Sequence, residues 1–393
     1  EYMNPKQNLI FVIPWYGKEA YGGAETLCKL VVEHLDSVGV SVQVFTTNSK
    51  SFHTGWKNDL PSGKTLENNI SVTRFKVDSR NENIFNILNK KILANNSINE
   101  KEELEFFKHN INSSDMMKAI SADKESLFVF MPYLYGTTFF GSQIHPLRSI
   151  IIPCLHDEGY ANMKLIKNML SNVTGLLFNS NAEKILAQEL VQQLPISQII
   201  GMGIEPLTKT NSEIFKQKYN LDKFILCSGR KEDGKNTPLL IDYFCRYLEK
   251  NNTDLKLVLT GKGKIDIPDR FSKNILDLFL SREDLHNAFD ASTIFCLPSI
   301  NESFSIVIME AWIHQTPVLV NNQCAVTKEH CLNSNGGLYF NNYAEFEGCV
   351  TYLLEHPDIS KTLAENGKKY VEYNYSWDTV ISKYVDFFKT IKN

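Results

Sequence analysis

Much that would assign this chain to a common class is missing from it. No apolar run approaches the length of a membrane span, and no secretory leader is visible in a sequence that begins at Glu1. The eight cysteines form no C-x-x-C pair and show no zinc spacing. Cys154, Cys227 and Cys296 lie inside apolar runs, which predicts buried free thiols and a reducing compartment, the cytoplasm. There is no D-x-D motif to hold a metal–diphosphate complex, no Walker A motif and no G-x-S-x-G elbow. Internal short-period repeats and low-complexity tracts are also absent. Nor does one sign of charge dominate. A net charge of -4 argues against bulk nucleic-acid binding.

What is present is an ordinary globular composition, 43% hydrophobic and 22% charged, over 393 residues. That length exceeds what one core usually serves, so two domains are expected. The first half alternates apolar runs with amphipathic segments. Leu9–Pro14 reads as a buried strand, and Leu27, Leu30, Val31, Leu35 and Val38 keep helical spacing up to Gly39, a C′ glycine. Further strands are expected at Val40–Thr46, Ile70–Phe75, Leu127–Met131, Ile150–Leu155 and Gly175–Asn179. Ser180 with Glu183 reads as a capping box.

The second half repeats the rhythm. Strands are expected at Phe224–Ser228, Lys256–Thr260, Ile275–Leu278, Ile294–Leu297 and Pro317–Val320. Helices are expected at Thr237–Lys250, Arg282–Phe289, Ser305–His314, Tyr343–Glu355 and Ile359–Tyr373. Such alternation implies two parallel, helix-covered sheets. The junction falls near Gly203–Thr210, giving domains 1–205 and 206–377, and the last helix, from Trp377 onward, could pack on either. Residues 80–126 lack a strand signal. Ile84, Phe85, Ile87, Leu88, Ile92 and Leu93 form an apolar face beside Lys90 and Lys91, which suits either an ordinary packed helix or contact with a lipid-linked acceptor or membrane surface.

The strongest chemical signal is Glu302-Ser303-Phe304-Ser305-Ile306-Val307-Ile308-Met309-Glu310, two carboxylates separated by seven residues. It follows the strand Ile294–Leu297. In α/β sheets ligands sit at the carboxyl ends of strands, where helix N-termini present free N–H groups. Glu302 falls in the loop, and Glu310 about one and a half turns into the helix. One acid near a sugar and one near a ribose would use that spacing. Gly229-Arg230-Lys231-Glu232-Asp233-Gly234-Lys235-Asn236 likewise lies between a strand and a helix. Arg230 and Lys235 could stabilise the charge of a departing nucleoside diphosphate, although a solvated charged loop has the same composition.

Weaker signals sit elsewhere. Tyr21-Gly22-Gly23-Ala24-Glu25 opens the first helix, and Gly23 would let a ligand approach the backbone. His156-Asp157-Glu158-Gly159 follows a strand, and His156 could donate to a sugar hydroxyl. Gly261-Lys262-Gly263-Lys264 could admit a base or ribose, and Gly201-Met202-Gly203-Ile204-Glu205 could form a hinge or cleft wall. Simple turns explain both almost as well.

Together these motifs resemble the retaining glycosyltransferases of family 4. The resemblance rests on Gly22-Gly23-Ala24-Glu25, His156-Asp157, Phe178-Asn179-Ser180, Gly229-Arg230…Lys235-Asn236, Glu302…Glu310, Asn335-Gly336-Gly337-Leu338-Tyr339-Phe340 and Tyr375-Ser376-Trp377. It implies the GT-B fold, two Rossmann-like doubly wound parallel-sheet domains facing a central cleft. The N-domain would take the acceptor and the C-domain the donor, with the closing helix, 378–393, crossing back to the N-domain. It implies that Arg230 and Lys235 bind the donor diphosphate, that Glu302 with the backbone of Ser303, Phe304 and Ser305 holds the donor sugar, and that Glu310 binds the ribose. His156 would stand near the reacting sugar and Gly23 near the phosphate, with Gly261 in the donor site. Ser303 and Ser305 stand where the family often has glycine, and Gln315 precedes Thr316-Pro317 where glycine is frequent.

The implied reaction moves a mannose-like or glucose-like hexose from a nucleotide-diphosphate sugar to a glycan or lipid-linked acceptor, in bacterial surface polysaccharide synthesis. The nucleotide sugar is a co-substrate, so no cofactor and no metal are expected. A cytoplasmic enzyme, at the inner face of the membrane if the 80–126 segment touches lipid, fits this reading. The competing readings are another GT-B enzyme, a sugar phosphorylase or sugar-phosphate synthase, or a non-catalytic sugar-nucleotide-binding protein.

Overall fold

A computed structural model describes residues 8–391 apart from 21 and 232. The chain divides into two units. The first comprises residues 1–201 and 380–393, the second residues 202–379. The first crossing thus comes at Gly201/Met202, a few residues before the expected 205/206 boundary, and the return comes at Thr379/Val380.

The first unit contains β1 (Leu9–Val12), α1 (Gly23–Ser37), β2 (Val42–Thr47), β3 (Gly63–Glu67), β4 (Ile70–Phe75), α2 (Glu82–Leu93), α3 (Glu100–Lys108) and α4 (Ser114–Ala122). It continues through β5 (Leu127–Phe130), α5 (Gly136–Gly141), β6 (Ser149–Ile151), α6 (Lys164–Asn172), β7 (Gly175–Phe178), α7 (Asn181–Leu190) and β8 (Ile196–Ile199). The sheet order is β3-β4-β2-β1-β5-β6-β7-β8. Every pairing is parallel except β3 with β4. Strands β1 and β5 are buried throughout, as the continuous apolar runs predict for a sheet covered on both faces.

Two details depart from the sequence reading. The strand expected over 150–155 ends at Ile151, because Pro153 cannot donate to a ladder and Cys154 turns left-handed at φ 50°. Glu183 does more than close a capping box. Ser180 accepts from the Glu183 N–H, while the Glu183 carboxylate accepts from Asn179 N at 2.7 Å and Leu155 N at 2.8 Å. It thereby ties the ends of two strand loops together. Burial raises this carboxyl to about 7 against the pull of those N–H groups.

The second unit runs α8 (Ser212–Tyr219), β9 (Phe224–Ser228), α9 (Thr237–Lys250), β10 (Lys256–Thr260), β11 (Ile275–Leu278), α10 (Arg282–Ala291) and β12 (Ile294–Leu297). There follow α11 (Ile306–Ile313), β13 (Val318–Asn321), α12 (Ala325–Ser334), β14 (Gly337–Phe340), α13 (Tyr343–Glu355) and α14 (Pro357–Tyr375). Its sheet, β11-β10-β9-β12-β13-β14, is parallel throughout. The strand order reverses between β9 and β12, and the loops after these two neighbouring strands carry Arg230–Lys235 and Glu302. This is the switch point at which an open α/β sheet leaves room for a ligand.

The last helix, α15 (Trp377–Ile391), begins in the second unit and continues in the first. Within the first unit Phe387 lies against Gly175, where a Cβ would come within 2.8 Å of its ring, and Tyr384 is buried. Within the second unit Trp377 covers Gly203, while Ile204 N donates to Tyr375 O at 2.7 Å. No helix among the described residues is long and apolar enough to cross a membrane.

Candidate functional site

The site in the second unit is assembled from strand-to-helix loops. After β9 the chain turns at Gly229, and Asn236 enters α9 in the left-handed region at φ 56°. Asn tolerates that conformation better than most side chains. Its amide donates to Pro298 O at 3.3 Å, and Asn321 Nδ2 donates to the same carbonyl at 3.3 Å. The loops after β9 and β12 and the end of β13 are thus hydrogen-bonded together. Gly229 to Gly234-Lys235 also has the glycine and lysine spacing of a nucleotide phosphate loop, but Asn236 stands where that loop needs a hydroxyl.

Lys235 Nζ lies 2.6 Å from Glu302 Oε1, a charge-assisted hydrogen bond between the two loops. The Lys235 side chain is 27% exposed and Glu302 only 9%, so the pair sits at the rim of solvent with its carboxylate inside. Both charges lie close enough to act on the buried Cys227 thiol. Burial pushes that thiol up to about 12, against the lowering influence of Lys235 and Lys231.

Lys231 has a different fate. Its side chain is 4% exposed, and its ammonium donates to Gly261 O at 2.8 Å and pairs with Asp277 at 2.5 Å. It locks the loop after β9 to the loop after β10 and to strand β11 itself. Gly261, expected to admit a base or ribose, is required by the same lock. A Cβ there would lie 2.0 Å from Gly229 O, and its φ is +124°. Sequence alone could not tell which of the three cations in this loop was committed to structure. Arg230, the outermost, is exposed.

The stretch from Glu302 to Glu310 enters α11 through Ser305, whose φ of 71° is left-handed and whose buried hydroxyl has no hydrogen-bond partner among the described residues. Ser303 is partly exposed beside it. Phe304 is fully buried, its ring edge-on to His330 at 5.3 Å and Tyr375 at 5.0 Å. A side chain so placed holds the loop, so any ligand contact at 304 would be through backbone. His330 donates to or accepts from Tyr370 Oη at 2.8 Å, and burial lowers it to about 4, a neutral imidazole. Glu310 lies within α11, and its carboxylate has no hydrogen-bond partner among the described residues. Burial raises it to about 7, with the charge of Arg282 pulling it back.

In the first unit Gly23 is exposed at the start of α1, and a Cβ there would meet nothing within 4 Å. His156 follows the loop after β6 and is partly exposed. Its neighbour Glu158 accepts from Tyr133 Oη at 2.7 Å. The glycines of Asn335-Gly336-Gly337 serve packing, since a Cβ on Gly336 would come within 2.8 Å of Gly367 Cα on α14. No group of three or more His, Cys, Asp or Glu among the described residues is placed to hold a metal ion.

Residues 209–370 match the family described as Glycosyl transferases group 1. An uncharacterized glycosyltransferase of Methanocaldococcus jannaschii is 27% identical over 212 residues, which is 49% of this chain and 53% of that protein. A Campylobacter jejuni protein named N-acetylgalactosamine-N,N'-diacetylbacillosaminyl-diphospho-undecaprenol 4-alpha-N-acetylgalactosaminyltransferase is 30% identical over 196 residues, 46% of this chain and 52% of that one. The chain therefore spans about half the length of these curated relatives. Among solved structures, sucrose-phosphate synthase from Thermosynechococcus elongatus superposes with a TM-score of 0.72 at 15% identity, covering 98% of this chain and 99% of that one. Anabaena HepE in complex with UDP and glucose gives 0.67 at 12% identity, covering 98% and 99%. These likenesses establish the GT-B fold, two parallel-sheet α/β domains. The family match adds that residues 209–370, within the second unit, are similar to the glycosyl transferases of group 1.

Proposed function

We propose that the protein is a retaining glycosyltransferase that moves a hexose from a nucleotide-diphosphate sugar to a glycan or lipid-linked acceptor, in surface polysaccharide synthesis. The observation that carries this reading is the Lys235–Glu302 pair on the two loops flanking the β9/β12 switch point. The Lys235 ammonium is paired with the Glu302 carboxylate. A donor diphosphate supplies a stronger anionic partner, and the freed carboxylate then accepts from the sugar hydroxyls. Arg230, on the same loop, adds a second cation.

Charge grows on the diphosphate as its bond to the anomeric carbon breaks. Fixed cations stabilise that transition state more than the ground state. The carboxyl of Glu310, poised near neutrality by burial, gains acceptor capacity for the ribose hydroxyls. No carboxylate in this reading acts as a nucleophile, which favours front-face transfer in which the departing phosphate oxygen takes the acceptor's proton. His156 and Gly23 are assigned to the sugar and the phosphate from the first unit, Gly261 and the backbone of Ser303, Phe304 and Ser305 to the donor from the second. Domain closure would limit hydrolysis.

A thermal-shift screen against UDP-, GDP- and ADP-sugars tests the reading. A selective rise in melting temperature with one nucleotide class is the expected result. No rise with any of them, repeated by calorimetry, removes the donor site and with it the proposal.

A further inference from the structure

Away from the residues assigned above, the first unit contains a pocket of about 490 Å³ between the second half of α1, where Lys29 and Glu33 line it, the segment after β1 and the β3–β4 hairpin. Arg74 forms part of its wall and is only 8% exposed. Its Nη1 donates to Glu67 Oε1 at 2.5 Å and Thr65 Oγ1 at 3.3 Å, and its Nη2 donates to Tyr16 O at 2.9 Å. Its Nε is buried without an acceptor among the described residues. An unsatisfied donor on a buried guanidinium is costly and unusual. Gly17 borders the same group. A Cβ there would lie 3.1 Å from Nη2, and a φ of +122° favours glycine, so the space beside the guanidinium stays open.

The charges of the lining are unevenly spent. Glu67 is committed to Arg74, Glu19 to Lys50, and Glu33 accepts from Asn68 Nδ2 at 2.9 Å. Lys18 and Lys29 also line the pocket and have no ion pair among the described residues. The lining therefore combines two ammonium groups without an ion pair among the described residues and a guanidinium with one unmet donor. Tyr16, whose phenol burial keeps protonated, adds a neutral hydroxyl.

We propose that this pocket is an anion-recognition site of the first unit, taking the carboxylate or phosphate of a charged sugar. A planar guanidinium and two ammonium groups in one pocket lining suit either anion, and the volume suits a single sugar ring. The site lies on residues that play no part in the donor reading and does not depend on it.

Isothermal titration calorimetry of the full chain with glucose, glucuronate and glucose 6-phosphate tests the proposal. At low salt at least one charged sugar should bind at least ~10-fold tighter than glucose, and the difference should shrink at high salt. Binding of glucuronate alone names a carboxylate ligand, and binding of glucose 6-phosphate alone names a phosphate. The Lys18→Glu, Lys29→Glu double variant should weaken charged-sugar binding at least ~10-fold with its melting temperature little changed, since neither lysine is buried or held in an ion pair among the described residues. Equal affinity for glucose, no binding of either charged sugar, or undiminished binding by the double variant overturns it.

Discussion

Lys235 and Glu302 lie 67 residues apart in sequence and 2.6 Å apart in space, joined across two neighbouring strand-to-helix loops. A contact of that kind couples two groups that would otherwise be assigned separate tasks. Removing one leaves the other partly buried and unpaired, which costs more than the pair itself contributes.

The first prediction follows from that coupling. Lys235→Met and Glu302→Gln should each destabilise the protein by roughly 1–2 kcal/mol, and the double variant by less than the two together. Urea denaturation of the four proteins of the cycle measures this. In the proposed transfer reaction Lys235→Ala should lower turnover by about 100-fold or more, in line with loss of one preorganised charge-stabilising group. Wild-type turnover in that variant would remove the lysine from the mechanism.

Glu310 gives a pH-dependent prediction. Its folded-state value, about 7, lies above the ordinary 4.5. Between these values the folded protein holds a proton that the unfolded chain has released, so the stability contribution is complete below pH 4.5 and lost as pH rises through 7. Glu310→Gln should therefore raise the melting temperature at pH 8 relative to wild type, by an amount equivalent to roughly 1–2 kcal/mol, and change it little near pH 4.5. Comparison with wild type at each pH cancels the parallel titration of Glu183. The same variant should bind nucleotide sugar more weakly. Equal melting curves at pH 8 would contradict the burial argument.

Ser305 offers a gain of stability. A non-glycine residue at φ 71° is strained by about 1–2 kcal/mol, and its hydroxyl is buried without a partner. Ser305→Gly should raise stability by about 1 kcal/mol after the added flexibility of the unfolded chain is subtracted. A drop in melting temperature would mean that the hydroxyl has a partner in solution.

Gly261→Ala should act in the opposite direction. The new methyl group would collide with Gly229 O in a conformation already unfavourable for alanine. A loss of about 2 kcal/mol or more is expected, with the Lys231–Asp277 lock disturbed. Chemical denaturation measures the loss, and Lys262→Ala, a change in the adjoining residue with no such collision, serves as the comparison.

The parts of the fold that were legible were those written as local pattern. The runs at Phe224–Ser228, Lys256–Thr260, Ile275–Leu278 and Ile294–Leu297 form strands over those same residues. Helix Thr237–Lys250 also ends where its apolar spacing does. Strands β3 and β8 escaped notice because they are short, partly or largely exposed, and broken by polar residues, and β14 because its Gly-Leu-Tyr-Phe is too short a run to mark a strand. Helix α12 escaped for another reason: its buried residues include Thr327, His330 and Ser334, which no hydrophobic periodicity would mark.

The candidate site was legible as a set of residue types at strand ends, but not as a set of partners. Arg230, Lys231 and Lys235 are equivalent in sequence. Only Asp277, 46 residues further on, reveals that Lys231 is structural. Glu302 and Lys235 were read as separate ligand groups because a loop sequence does not say which opposite charge another loop will bring to it. The buried tyrosine and histidine set around Phe304 is equally a product of tertiary packing.

The bond from Ile204 N to Tyr375 O, with Trp377 laid over Gly203, fastens the opening and closing stretches of the second unit to each other. Its two ends are next-door neighbours, like the mouth of a drawn purse. The polypeptide could be rejoined there and cut open at a distant surface turn, giving a circular permutant of the second unit in which no strand of its sheet is interrupted.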